Sequence, residues 1–445
     1  MTGVTIGLGA FASALFLLAI RVPIAFALGL VATVATFITF LARFGLDRAE
    51  RAFDATGTLI YSGAFEILHS FDLSMVPLFI ALGHVSYHAQ ITTKIYYAAR
   101  VWLTRLPGGL AVASIIGCGG FSAITGSSLA CASTMGRICS PEMLKAGYDP
   151  RLATGSVAAG GTLGSLIPPS VLFIIYGIFT ETSISQLFLA GIIPGLLTLI
   201  GYVLAVTLWV RRNPEIAPVF QEEIPRQQRM AALIGAWPAV FLFVIIIGGI
   251  YGGVFTATEA AAVSLIFAIA IGVVQRTLTW QGLKDSMLST CAQAGTIFLL
   301  AACAKMFVGF VSLTGISGAI VQLATSVDLS QLALLAMVVV IYLLLGMFLD
   351  PIGILVLTLP VLIPLVEDYN LDLIWFGVVV VKLLEIGLIT PPVGLNVFVI
   401  GGVIDKSITV DRIFAGVLRF LASDIVVLVL LVAFPILSLL IPYSM

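Results

Sequence analysis

The sequence predicts an all-α polytopic membrane protein built as an inverted repeat, with two re-entrant helical hairpins and two discontinuous Pro-Pro helices. Three observations carry that prediction. The 445 residues are 60% hydrophobic and only 10% charged, with a mean hydropathy of +1.17, beyond what a water-soluble domain of this size tolerates. Pro168-Pro169 and Pro391-Pro392 each lie midway along an apolar stretch of spanning length. Inside a helix, proline removes a backbone donor and clashes with the preceding turn, so each pair frees peptide groups at bilayer depth that need partners. The two pairs are 223 residues apart (391 − 168), which divides the chain into two related halves.

At about 20 residues per crossing, simple spans are expected near 3–20, 24–42, 72–91, 186–210, 233–252, 257–275, 288–304 and 418–441. The first run lacks a basic leader and passes through Arg21-Val22-Pro23 into another apolar span, which favours a first transmembrane helix over a cleaved signal. Residues 109–140 carry the small, polar Gly-Cys-Gly-Gly-Phe-Ser-Ala-Ile-Thr-Gly-Ser-Ser from Gly117 to Ser128, which suits the tip of a hairpin buried in protein. Residues 331–366 are interrupted by Gly-Met-Phe-Leu-Asp-Pro-Ile-Gly from Gly346 to Gly353, with a carboxylate and a proline where a straight helix would place neither. Each hairpin precedes a Pro-Pro helix, 151–180 and 371–401, and then an ordinary span. The domains read as N-terminal scaffold helices with an amphipathic segment (1–71), a first repeat (72–212), an inter-repeat linker with scaffold helices (213–287) and a second repeat (288–445). The bulky, continuous stretches 3–42, 186–210, 233–275 and 418–441 are all assigned to a scaffold.

Charge orients the halves. Lys94, Arg100 and Arg105 precede the first hairpin and Arg137, Lys145 and Arg151 follow its tip, placing both of its ends in the cytoplasm. No Lys or Arg lies between Lys305 and Lys382, and Asp328, Glu367, Asp368 and Asp372 mark the second hairpin's turns as external. The hairpins therefore enter from opposite faces. Arg43, Arg48 and Arg51 fall outside on this count, interleaved with Asp47, Glu50 and Asp54. A net charge of −1 and a pI near 6.3 offer no basic surface for nucleic acid. The five cysteines form no CxxC pair and read as small packing residues.

The tip motif Phe-Ser-Ala-Ile-Thr-Gly-Ser-Ser, Pro-Glu-Met-Leu-Lys-Ala-Gly-Tyr from Pro141, Leu-Gly-Ser-Leu-Ile-Pro-Pro-Ser from Leu163 and Glu-Ile-Gly-Leu-Ile-Thr-Pro-Pro-Val-Gly-Leu-Asn from Glu385 closely resemble the large membrane (M) subunit of tripartite ATP-independent periplasmic (TRAP) transporters. The resemblance covers essentially the whole chain. It implies an elevator-type transporter in the bacterial inner membrane, driven by sodium and importing an organic acid such as sialic acid or a C4-dicarboxylate. It also implies two partners, a separate small four-helix membrane subunit (Q) and a periplasmic substrate-binding protein (P). No organic cofactor is implied. One sodium site would use Ser122, Thr125, Gly126, Ser127 and Ser128 with Gly164 and Ile167. The other would use Gly346, Gly387 and Val393 with the Thr390 hydroxyl. Unwound backbone supplies the oxygen ligands a hard cation favours. Substrate contacts are expected from Pro168, Pro169, Ser170, Asp350, Pro391, Pro392 and Asn396, since a half-helix starting after each Pro-Pro pair aims its positive dipole end at an anion.

Plainer readings stand beside several of these. Ser and Thr in membrane helices often bond to a carbonyl four residues back, so the Thr-Gly-Ser-Ser cluster also fits tight packing. Lys382 and Glu385 lie one turn apart in an apolar span, a spacing that permits mutual neutralisation, as a coupling pair or as a structural one. Asp350 fits the tip of the second hairpin better than an exposed turn between two full spans. His84 and His88 have the spacing of a helical metal pair but no third ligand nearby, which favours His84 bonding within the protein. The 211–230 segment reads as a cytoplasmic linker. Competing functions are a dicarboxylate transporter needing no binding protein and an ion channel with re-entrant loops; an enzyme ranks last, for want of a nucleophile, acid pair or metal cluster.

Overall fold

The computed structural model describes residues 3–218 and 224–444, and these are all-helical. The first half opens with α1 (Gly3–Ala19), α2 (Ile24–Phe44) and α3 (Ala49–Leu68). Then come α4 (Met75–His88), α5 (Ile91–Leu103), a hairpin of α6 (Gly109–Thr125) and α7 (Ser128–Lys145), a broken helix of α8 (Pro150–Leu166) and α9 (Val171–Thr180), and α10 (Ile184–Arg212). A connecting region holds α11 (Arg226–Gly235), α12 (Trp237–Phe243), a π-turn at Val244–Gly248, α13 (Gly249–Tyr251) and α14 (Ala257–Val274). The second half runs through α15 (Trp280–Thr314), α16 (Ile316–Ser326), a hairpin of α17 (Gln331–Gly346) and α18 (Pro351–Asp368), a broken helix of α19 (Leu373–Gly387) and α20 (Leu395–Val403), then α21 (Val410–Ala433) and α22 (Ile436–Leu439). Among the described residues eight helices are long and apolar enough to cross a membrane, or nine if the pair Leu46–Leu68 and Asp72–His88, bent by 57°, is one crossing.

The 223-residue offset holds element by element. Ser127 caps α7 by accepting from the Ala130 amide, and Asp350, its counterpart 223 residues on, caps α18 by accepting from the Gly353 amide. Asp149 caps α8 and Asp372 caps α19 in the same relation. A side-chain oxygen at this position satisfies one of the amides every helix start leaves free, so these residues fix where each hairpin returns and where each broken helix begins. Both Pro-Pro bonds are cis.

The halves interleave. α9 packs on α18 of the other hairpin, while α20 packs on α7 and α8. Small residues allow it: a Cβ on Gly155 would lie 2.7 Å from the Gly416 carbonyl carbon, so α8 and α21 meet backbone to backbone.

Several expectations need correction. The 186–210 and 418–441 spans do not stand apart as scaffold: α10 packs on α8, α19 and α21, and α21 packs on α8. Glycines explain this, since a Cβ on Gly191 or Gly195 would lie 2.6 Å from the Leu166 carbonyl oxygen or 2.7 Å from the Ile167 side chain, leaving no gap between α10 and the break. The span expected at 418–441 begins at Val410 and ends at Ala433, just before Pro435. The span expected at 288–304 is the middle of the 35-residue α15. α5 and α16 were unforeseen; α5 is held to the hairpin because Tyr96 Oη and Arg100 Nε reach the Glu142 carboxylate at 2.7 and 2.5 Å. The 211–230 linker includes the start of α11, where the Arg229 carbonyl accepts from Trp102 Nε1, and its residues 219–223 lie outside the described residues.

Candidate transport site

The first hairpin's tip closes directly on the first break. Gly126 ends α6 in the left-handed region (φ +65°), and its carbonyl accepts from the Val171 amide at 3.2 Å. A Cβ there would lie 2.6 Å from the Pro169 carbonyl oxygen, so only glycine lets the chains approach this closely. Gly164 meets the other side of the tip, where a Cβ would lie 2.6 Å from the Ser128 amide nitrogen. Ser170 caps α9 through the Phe173 amide. The structure thus gathers Gly126, Ser127, Ser128, Gly164, Pro169 and Ser170 at one place, with Ile167 and Pro168 completing the buried break. Ser122 and Thr125 sit just before the tip, and their hydroxyls donate to the Cys118 and Phe121 carbonyls.

The second half repeats the arrangement with a looser break. Gly387 is the counterpart of Gly164 at the 223-residue offset, and it faces Gly346 of the hairpin closely enough that a Cβ would lie 2.8 Å from the Gly346 Cα. Asp350 stands at the hairpin tip as the cap of α18. Thr390 donates to the Ile386 carbonyl at 2.7 Å. Beyond it Pro391 and Val393 are half-buried and Pro392 is exposed, whereas Pro168 and Pro169 are buried. Asn396 is fully buried and crosses to the first half, its Nδ2 donating to the Ala158 carbonyl at 3.3 Å. Its Oδ1 is buried with no protein hydrogen-bond partner.

Lys382 and Glu385 are not each other's partners. Both are 1% exposed, but Lys382 Nζ lies 2.6 Å from Asp424 Oδ1 and 3.0 Å from Thr198 Oγ1, while both Glu385 oxygens lie 2.8 Å from Ser128 Oγ. Different helices supply the better partners: Thr198 of α10 and Asp424 of α21 for the lysine, Ser128 at the start of α7 for the glutamate. Tyr202 Oη extends the lysine side of the network to Asp424 at 2.8 Å and to Thr162 Oγ1 at 2.8 Å. Sequence reasoning missed Asp424, Tyr202 and Thr198, although an aspartate inside the apolar 410–433 helix was itself a signal. His84 Nε2 bonds to Gln293 Oε1 at 3.3 Å, the bond within the protein that the lack of a third metal ligand favoured.

The polar atoms at the tips are mostly oxygens, from carbonyls, hydroxyls and carboxylates, which suits a hard cation, although Cys131 Sγ lies 3.8 Å from Ser122 Oγ.

Known proteins match over most of the chain. The family model described as "Tripartite ATP-independent periplasmic transporter, DctM component" matches residues 11–437. The C4-dicarboxylate TRAP transporter large permease protein DctM of Rhodobacter capsulatus is 30% identical over 435 residues, covering 94% of this chain and 95% of that protein. The sialic acid TRAP transporter permease protein SiaT of Haemophilus influenzae is 34% identical over 401 residues, covering 90% of this chain, which spans 63% of that relative's length. In fold, the chain is similar to the YdaH transporter of Alcanivorax borkumensis, with a TM-score of 0.62 at 15% identity over 90% of this chain and 89% of that one. The chain therefore belongs to the DctM family of tripartite ATP-independent periplasmic transporters, as a multi-pass permease of the bacterial inner membrane and not an enzyme.

Proposed function

We propose that the chain is the transport subunit of a sodium-driven importer of an organic acid. It works with a small membrane subunit and a periplasmic binding protein that captures the acid and delivers it. The observation that carries this reading is the duplicated tip-on-break construction, in which Gly164 and Gly387 each bring a hairpin against an unwound, proline-broken helix. Unwound backbone offers carbonyls to sodium without burying a protein charge. The first cradle takes Ser122, Thr125, Gly126, Ser127, Ser128, Gly164 and Ile167; the second takes Gly346, Gly387, Thr390 and Val393. The half-helices α9 and α20 begin just after the breaks and aim amides and the positive ends of their dipoles at a carboxylate. Asn396 Oδ1 and Ser170 add polar contacts beside it. Relatives named for sialic acid and for C4-dicarboxylates support an anionic substrate, and the soluble partner does much of the selecting between such acids.

The two halves enter the membrane inverted, and the body of hairpins, broken helices, α10 and α21 slides as an elevator against α1–α3 and α15. Sodium orders both tips and offsets substrate charge, so the loaded body moves more readily than the partly loaded one.

Uptake into proteoliposomes containing this chain and its small partner, with an inward sodium gradient and a candidate binding protein outside, tests the reading. Uptake that persists unchanged without sodium rejects it. Thr390→Ala and Ser127→Ala should each raise the sodium concentration for half-maximal uptake by about tenfold, the equivalent of one lost ligand contact, with protein abundance preserved.

A further inference from the structure

The geometry points to one more cation ligand, and the inference rests on the sodium reading above: we propose that the Glu385 carboxylate, reaching across from the second half, is an anionic ligand of the first cradle. The cation it takes is small, hard and monovalent. Both Glu385 oxygens lie 2.8 Å from Ser128 Oγ, and that oxygen lies 2.8 Å from Ser165 Oγ. Ser128 is the first residue of α7, directly after the tip, and Ser165 is on α8, next to the Gly164 contact. Four side-chain oxygens from α7, α8 and α19 are thus gathered behind the hairpin tip.

Hydrogen bonding does not use up this cluster. An ionised carboxylate has about four acceptor sites, and the two serines bring one proton each. The remaining carboxylate and hydroxyl lone pairs are oxygen donors of the kind that hard cations prefer.

Charge leads to the same place. Lys382, one turn away on α19, has its ammonium committed to Asp424 and Thr198, and Asp424 takes a further bond from Tyr202. Lys382 is paired with Asp424, and among the described residues no cationic side chain pairs with Glu385. An ionised buried carboxylate without a cationic partner is costly, and a bound cation offsets that cost. The counterpart of Glu385 at the 223-residue offset is Thr162, a neutral hydroxyl bonded to Tyr202 Oη and the Ala159 carbonyl. Only the first cradle therefore has a carboxyl brought in from the other half, and a cation bound there ties hairpin α6–α7, α8 and α19 together.

Sodium-dependent thermal stabilisation of the purified full chain, with choline replacing sodium at constant ionic strength, reads binding without transport. Glu385→Gln keeps the shape and one acceptor oxygen for Ser128 but removes the charge, and should raise the half-saturating sodium concentration by about tenfold or more. A purely structural role would move the sodium-free melting temperature and leave the sodium dependence in place. A half-saturation equal to that of the unaltered protein overturns the proposal. Should Glu385→Gln not fold, Ser165→Ala is read in its place: a weakened sodium response supports the proposal and an unchanged one overturns it. An unaltered protein with no sodium response overturns the sodium-coupled function itself and this inference with it, whereas a normal response matched by both variants overturns the carboxylate's role alone.

Discussion

A methyl group at Gly164 would sit 2.6 Å from the Ser128 amide nitrogen and Cα, and one at Gly126 would sit 2.6 Å from the Pro169 carbonyl oxygen. Neither neighbour is a flexible side chain that can swing away. Gly164→Ala and Gly126→Ala should each cost about 1–3 kcal/mol through overpacking, with the left-handed backbone at Gly126 adding to its share. Gly57 in α3 meets open space, so Gly57→Ala should stabilise by up to about 1 kcal/mol from helix propensity. Melting temperatures of the three variants check this, and a tip glycine as tolerant as Gly57 would contradict the close approach. The Lys382–Asp424 pair invites a double-mutant cycle. Lys382→Met alone leaves a bare buried carboxylate and should cost about 3–5 kcal/mol, while Lys382→Met with Asp424→Leu should cost much less. Additive losses would show that the two charges are not coupled. Here the sequence was only half legible. The glycines, serines and prolines of the tips are consecutive letters, so their motifs could be read directly. Lys382 and Asp424 are 42 residues apart, and nothing in either segment says that α21 crosses α19 at that height.

Among the elements, the hairpins and breaks were legible because Pro and Gly act locally, and each left its mark on the sequence where the helix stops. α5 and α16 were hidden for the opposite reason. α5 carries Thr92, Thr93, Lys94 and Arg100 and is fixed by bonds to Glu142, a tertiary contact, while α16 is parted from α15 only by the left-handed turn at Gly315. The paired caps allow a symmetric test. Asp149→Ala and Asp372→Ala each remove a helix cap and should each cost about 1 kcal/mol. Asp149 also responds to pH, because its hydrogen bond to the Arg151 guanidinium holds its carboxyl below the ordinary aspartate value. A depressed folded-state value contributes stability that is complete above the unfolded value, about 3.9, and fades as pH falls through the lower folded one. The melting temperature of the unaltered protein should therefore drop more steeply through that acid range than that of Asp149→Ala. Parallel curves would mean that the arginine contact is not maintained in solution.

For the whole molecule, composition alone indicated a membrane protein and the repeated element order indicated two halves, but not how those halves pack. Assigning α10 and α21 to a scaffold followed from their bulk, and the glycine contacts that seat them on the breaks appear only in three dimensions. Inversion is the property of the whole molecule that the proposed mechanism most needs, because two hairpins entering from one face would not give each side of the membrane its own gate. The charge pattern places Lys145, at the base of the first hairpin, in the cytoplasm and Asp328, before the second hairpin, outside. Both residues are exposed. In a Cys291→Ser background, which removes the exposed native thiol, Lys145→Cys should react with a membrane-impermeant maleimide only when the cytoplasmic face is open to it. Asp328→Cys should react in intact spheroplasts. Buried Cys118, Cys131 and Cys139 and half-buried Cys303 set the background, which the Cys291→Ser protein alone measures. Labelling of both positions from one side would place the hairpins in parallel, and the alternating exposure of one shared site by a sliding body would lose its structural basis.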